Sequence, residues 1–395
     1  MKRLLAPLLA AALAATLTGA AHADHRTASP LQRDADALLA QGAPGVLVEV
    51  DTPRGDVRVR SGVADTRTRK PVPWNAKFRI GSFTKTYVAA TVLQLVGEGR
   101  LSLDDTVERW LPGVVRGNGN DGGRITVRQL LQHTSGLHNY ILQLPFVFKG
   151  DEFLAERFRT VTAAEAVALA TGVAPDFQPG EKWRYSNTGY AVAGMIIEKV
   201  TGRTWQQEVR KRILDPLRLR DTFLPGTSPA IPKPHATAYE RFPEKGLEAD
   251  PEDPRYGPAL DVTHFNPSWG GAAGDMISTT DDGNRFLQAL MTGEVLRPAE
   301  LAEMKRTVPA TGFEQGWPGV RYGLGLMFIP NECGGYWAHG GDIPGFMTRN
   351  GVTDDGRRSV VVSVNTDSLI PTPGTAPAVG DPTSTLVDHA LCGRG

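Results

Sequence analysis

The chain has 395 residues, with 43 Lys+Arg balanced by 43 Asp+Glu, 41% hydrophobic residues and two cysteines. A formal net charge of zero leaves no electrostatic footprint for a nucleic acid or an anionic membrane as partner. The length suits either two domains or one domain carrying a large insertion.

The chain opens with Lys2 and Arg3, runs through the apolar stretch 4–17 and reaches Ala21-His22-Ala23, a small-residue cleavage site followed by polar residues. This pattern predicts a signal peptide over 1–23 and a protein exported to the extracellular or cell-wall space. No later stretch is long and apolar enough to span a bilayer, so no integral membrane anchor is expected. Residues 46–50 and 57–60 are β-rich runs around the turn Thr52-Pro53-Arg54-Gly55, which predicts a hairpin. From Ser82 to about Glu98 the apolar positions Val88, Val92, Leu95 and Val96 recur near helical spacing, which places Ser82 and Lys85 one turn apart on one face. Residues 125–132, 163–170, 188–200, 204–214 and 282–291 also carry helical periodicity, with Gly136 read as a C-cap after the first of them. Strands are predicted over 322–328, 336–339, 346–352 and 359–365, the last two joined by the turn Asp354-Asp355-Gly356, with a closing helix over 382–391. The fold class is therefore α+β: an antiparallel sheet built from both chain ends, flanked by helices, with a large helical insertion. The corresponding division is 24–105 with 265–395 as the sheet subdomain and 106–264 as the mainly helical one. Cys333 and Cys392, downstream of an export signal and without a Cys-x-x-Cys or a close His, read as a disulfide tying the last segment to the body rather than as a metal pair.

Ser82-Phe83-Thr84-Lys85 places a hydroxyl nucleophile and an amine base three positions apart at a helix start. Free N–H groups and the positive end of the helix dipole there disfavour a protonated amine and favour an oxyanion. The same four letters also arise when a capping serine precedes a solvated lysine, so partners elsewhere decide the matter. Two candidates are Tyr185-Ser186-Asn187, in a loop before a predicted helix, and His339-Gly340-Gly341, at the end of a predicted strand. Ser135 in His133-Thr134-Ser135-Gly136 is read as part of a helix end instead of a nucleophile, and no Gly-x-Ser-x-Gly elbow occurs. His133 and His138 lack a third ligand at metal spacing, so neither a metal nor a cofactor is expected.

In their order and separation, the three motifs resemble those of the serine β-lactamase and penicillin-binding protein family, most closely class C β-lactamases and secreted soluble D-alanyl-D-alanine carboxypeptidases. Phe78-Arg79-Ile80-Gly81, residues 101–105, 125–137 and Ala272-Ala273-Gly274-Asp275-Met276 extend the similarity over nearly the whole mature chain. The resemblance implies Ser82 as the nucleophile of an acyl-enzyme, with Lys85 and Tyr185 sharing proton transfer. It implies Asn187 on the substrate amide and on Lys85, and His339 orienting Tyr185 and adding positive charge when protonated. Gly341 belongs to the third motif, the N–H groups of Ser82 and Asp342 would form the oxyanion hole, and Trp269 would wall the cleft. The implied substrate is a small peptide, a β-lactam or an ester, and a monomer is expected.

One departure bears on specificity. Carboxypeptidases of this group grip a substrate carboxylate with hydroxyls in and after the third motif and with a nearby arginine. Here Gly340 has no side chain and Asp342 is acidic, leaving Arg349 or Arg321 to take the arginine's place. The expectation is thus a carboxypeptidase-like hydrolase of peptidoglycan-type peptides, with an esterase, a D-amino-acid amidase or aminopeptidase, or a β-lactamase as alternatives. A non-catalytic penicillin- or peptide-binding protein is the alternative of another class.

Overall fold

The computed structural model describes residues 28–249, 255–372 and 374–393, so the predicted signal peptide lies outside the described residues. In chain order the elements that position the site are α1 (Pro30–Ala40), β1 (Gly45–Thr52), β2 (Gly55–Gly62), α2 (Thr84–Gly97), α3 (Val127–Gln132), α4 (Thr188–Thr201) and α5 (Thr280–Met291). They are followed by β3 (Val308–Pro309), β4 (Arg321–Tyr322), β5 (Met327–Ile329), β6 (Tyr336–Ala338), β7 (Gly341–Ile343), β8 (Phe346–Val352), β9 (Ser359–Val364) and α6 (Ser384–Cys392).

The sheet runs β2-β1-β9-β8-β6-β5-β4-β3, with β7 paired to β8, and every pairing is antiparallel. The two chain ends meet at its centre, where Val46 opposes Val364, Val48 opposes Val362 and Val50 opposes Val360. Side chains alternate across a strand, so these six valines share one face and bury it against Leu31, Ala35 and Leu38 of α1 and Leu386, Val387 and Ala390 of α6. Val361 points the other way, into the larger core that includes Phe83 and Tyr87 and Phe286 of α5. Tyr87 stacks on Phe286 with ring centroids 3.6 Å apart, which joins the sheet-covering helix to α2.

Helix α2 is buried on nearly all sides, from Thr84 through Leu93. A helix apolar all round belongs at the middle of a core, and this location fixes the residues at its N-terminus rigidly.

Three differences from the sequence-based expectation have local causes. The run 322–328 is two strands, because Gly323-Leu324-Gly325 turns back. Gly325 has φ +69°, and a Cβ there would lie 2.6 Å from the Ala89 Cβ and 2.9 Å from the Lys85 carbonyl oxygen. Helix α3 is C-capped by His133, itself at φ +61°, and not by Gly136. Helix α1, capped by Ser29 through the Gln32 N–H, was absent from the expected elements.

Cys333 and Cys392 form a disulfide, with their Cα atoms 5.7 Å apart, that pins the end of α6 to the loop after β5. The bridge closes a loop of sequence separation 59, for which chain entropy gives a stabilisation of about 4 kcal/mol. Reduction is therefore expected to lower the thermal midpoint by several degrees. Intact mass should gain two hydrogens on reduction, and an unreduced protein with two free thiols would contradict the pairing. Among the described residues no helix is long and apolar enough to cross a membrane.

Candidate active site

Ser82 lies in a short 3-10 turn, Gly81–Phe83, that runs directly into α2. Gly81 takes φ +50°, which aims the serine out of the core into a cleft of about 400 Å³. One turn on, the fully buried Lys85 amine lies 2.9 Å from Ser82 Oγ, 2.8 Å from Asn187 Oδ1 and 2.7 Å from the Ala273 carbonyl oxygen. Burial pushes this amine well below its ordinary pKa, with the Asp342 charge opposing in part. A neutral amine has two N–H donors and one lone pair. Asn187 and Ala273 accept the two donors, so the lone pair faces the Ser82 hydroxyl, the arrangement needed to take its proton.

Tyr185 enters from the loop before α4 with its phenol beside Ser82. Burial raises the pKa of its phenol, with Ser82 opposing, so Tyr185 stands as a proton donor. Its ring lies over the Lys85 amine, 4.9 Å from Nζ to the centroid. Asn187 directs its oxygen to Lys85 and its Nδ2 to Asn139 Oδ1 at 3.2 Å.

Strand β7 passes against the Gly81 turn, backbone to backbone. A Cβ on Gly341 would fall 1.9 Å from the Ile80 carbonyl oxygen and 2.9 Å from the Ser82 nitrogen, and a Cβ on Gly81 would fall 2.9 Å from the Asp342 nitrogen. Two glycines thus let the N–H groups of Ser82 and Asp342 stand side by side at the mouth of the cleft. Trp269 is buried and lines the same cleft with Ile141, Val147, Phe148 and Phe242. Its carbonyl oxygen accepts from the Tyr140 hydroxyl, fixing that wall.

His339 corrects an expectation. Its Nε2 is 2.9 Å from the Tyr322 hydroxyl and its Nδ1 2.7 Å from the Gly340 carbonyl oxygen, so it does not hydrogen-bond Tyr185, whose ring centroid is 6.4 Å away. Burial, with Lys85 nearby, depresses its pKa to about 3, so the ring is neutral near pH 7 and supplies no positive charge. The sequence-based reading placed a protonation switch here because the imidazole's reference pKa lies near neutrality; complete desolvation removes it.

Arg349 does not serve as a free carboxylate grip. Its Nη1 is 2.6 Å from Asp342 Oδ1 and its Nε 2.7 Å from Asp381 Oδ2. Burial alone would lower its pKa, but the two carboxylates outweigh that and hold it above the ordinary value. Arg321 is occupied with Thr307 on the exposed edge. Two carboxyls that sequence reasoning missed, Glu240 and Asp367, line the cleft with Asp342. Burial raises both, and in Asp367 the neighbouring Asp342 and Glu240 add to the rise. Their distance along the chain from every motif left no local signal.

A family profile described as Beta-lactamase matches residues 22–379. A D-stereospecific amidohydrolase from Streptomyces sp. superposes with a TM-score of 0.80 at 40% identity, covering 92% of this chain and 98% of that one. The D-amino acid amidase of Ochrobactrum anthropi SV3, in complex with D-phenylalanine, gives 0.76 at 30% identity over 91% and 96%. Penicillin-binding protein 4* of Bacillus subtilis is 27% identical over 292 residues, 73% of this chain but only 60% of that protein's length.

Proposed function

The chain belongs to the beta-lactamase family of serine hydrolases, and on that premise we propose that it hydrolyses D-aminoacyl amides or peptides bearing a free α-amino group, after export from the cell. In this reading Ser82 Oγ attacks the acyl carbon while its proton passes to neutral Lys85. The oxyanion is held by the N–H groups of Ser82 and Asp342, and Tyr185 donates a proton to the leaving nitrogen. The Lys85 ammonium returns that proton to Tyr185, so Lys85 is neutral again when water cleaves the ester; it takes the water's proton and passes it to the departing Ser82 Oγ. Asn187 hydrogen-bonds the substrate and Lys85, and Trp269 with Phe148 and Phe242 receives an apolar side chain.

The observation that carries the substrate class is the charge of the cleft. Arg349 faces both Asp342 and Asp381, so that group of three carries net negative charge, and its Asp342 lines the cleft; burial favours the neutral acid at Asp367 and raises Glu240 to about 7, so those two add little. An incoming carboxylate meets repulsion, whereas an α-ammonium gains a partner. Arg241 in the lining is exposed and screened by water, so it does little to reverse this. A carboxypeptidase-like action is for this reason the weaker reading. The relatives named for D-amino acid amide chemistry support the stereochemical part.

The test compares D-phenylalaninamide, its L-enantiomer, N-acetyl-D-phenylalaninamide and an N-acyl-D-Ala-D-Ala peptide. The free D-amide should be hydrolysed with kcat/KM about 100-fold above the N-acetylated form. Preference for the N-acyl peptide would overturn the assignment. Asp342→Asn keeps the backbone N–H but uncovers Arg349. It is expected to raise KM for the free amide about tenfold, a change worth about 1.4 kcal/mol, and to improve turnover of carboxylate-bearing substrates.

A further inference from the structure

His133 is a buried residue in the left-handed region, φ +61°, a conformation that costs a non-glycine residue energy and persists only when its surroundings enforce it. The enforcement comes from the loop that carries Tyr185. The His133 carbonyl oxygen accepts the Arg184 N–H at 3.0 Å, and its Nδ1 accepts the Ser186 N–H at 3.3 Å. One residue therefore holds the peptide on both sides of Tyr185. Its ring also packs against the Tyr185 ring, with centroids 4.3 Å apart.

The other nitrogen of His133 continues the connection. Nε2 is 3.0 Å from the Tyr322 hydroxyl, which is 2.9 Å from His339 Nε2, and His339 Nδ1 is 2.7 Å from the Gly340 carbonyl oxygen. The two ends of this chain fix the direction of every bond in it. The Ser186 N–H can only donate and the Gly340 carbonyl can only accept. His133 must then carry its proton on Nε2 and donate it to Tyr322. Tyr322 donates to His339, and His339 donates from Nδ1 to Gly340. The Gly340 carbonyl precedes Gly341, whose close fit against Ile80 sets the Asp342 N–H beside Ser82.

We infer that His133 and Tyr322 are positioning residues for acyl transfer, a neutral one-way hydrogen-bond chain that holds Tyr185 and the Asp342 N–H in register around Ser82. This deepens the proposed mechanism and rests on its assignment of Ser82 as nucleophile and Tyr185 as proton donor. The chain touches no substrate, so its removal should act on turnover and not on binding. A misplacement of about 1 Å at the reacting groups costs on the order of 100-fold in rate.

The experiment measures kcat and KM for D-phenylalaninamide, and the acylation burst with p-nitrophenyl acetate, in Tyr322→Phe, His133→Ala and His133→Asn. Phe preserves the ring and removes both bonds of the Tyr322 hydroxyl. Tyr322→Phe and His133→Ala are expected to lower amide kcat about 30- to 100-fold, with KM within about threefold. The activated ester, whose leaving group needs no proton, should lose under about tenfold. His133→Asn should recover part of the amide rate, because asparagine tolerates the left-handed region and offers an acceptor to Ser186. Folded variants with amide kcat within about threefold of wild type overturn the inference, as do equal losses on both substrates. If His133→Ala does not fold, the near-isosteric Tyr322→Phe decides. A wild type that turns over only the ester overturns the amide reading, and the burst rate of Tyr322→Phe against wild type then decides the inference: about threefold or more slower supports it, unchanged overturns it.

Discussion

Lys85→Met is expected to lower kcat for the amide substrate by about 10³- to 10⁴-fold, near the upper end of what a positioned base contributes. Methionine fills a similar volume but leaves the Ser82 hydroxyl without an acceptor for its proton. It also leaves Asn187 Oδ1 and the Ala273 carbonyl oxygen without the donors they have at 2.8 and 2.7 Å. Lys85→Arg separates the two things a lysine could supply here. A guanidinium keeps the positive charge and the donors but does not release a proton. If Lys85 acts as a base, the arginine variant is as inactive as the methionine one; if it acts only through charge, arginine restores a substantial fraction of the rate. Because burial sets the Lys85 pKa well below its usual value, the amine is neutral at higher pH and gains its proton as pH falls. Activity should accordingly decline on the acid side as Lys85 becomes protonated. A steady-state pH profile with no such limb, or full activity in either variant, contradicts the role.

Gly341→Ala is expected to cost on the order of 100-fold or more in kcat, the loss typical of removing one oxyanion donor. The added methyl carbon would meet backbone, 1.9 Å from the Ile80 carbonyl oxygen and 2.8 Å from its carbon, so no side-chain rotation relieves it. Strand β7 must shift away from the Gly81 turn, and the N–H groups of Ser82 and Asp342 separate. Overpacking of this kind also destabilises by about 1–3 kcal/mol. Gly340→Ala is the control, since a Cβ there would meet only the Thr348 carbonyl oxygen at 3.2 Å and the Arg349 side chain at 3.3 Å. Burst kinetics should show slower acylation in the first variant and a much smaller change in the second. Equal, near wild-type acylation in both would mean that the close approach of these backbones has no catalytic consequence.

The pairing of Ser82 with Lys85 was legible in the sequence because both sit in one short motif at a helix start, where spacing fixes geometry; the approach of Tyr185 and Asn187 followed from the resemblance to the serine β-lactamase family. The sheet was legible for a similar reason, since Val46, Val48 and Val50 and Val360, Val362 and Val364 alternate and pair across the chain ends. Features decided by distant contacts were not. Nothing near residue 133 announces that its imidazole reaches Tyr322, which lies 189 positions away. The neutral state of His339 follows from desolvation by elements remote in sequence, and Arg349 lost its expected freedom to Asp381, 32 positions on. The split of the run 322–328 was hidden in the same way, because its turn depends on remote backbone: Gly325 lies against α2 and Gly323 against Met304.

The role of Ser82 as nucleophile is decided by where an acyl group lands. Wild type and Ser82→Ala are mixed with p-nitrophenyl acetate, quenched in acid within the burst and mapped by peptide mass spectrometry. With Ser82 as the nucleophile, one acyl group per chain is expected on the peptide carrying Ser82, and none on the same peptide or elsewhere in the Ser82→Ala protein. Equal acylation of the two proteins, or a wild-type label on Ser135 or Ser186 instead, would contradict it.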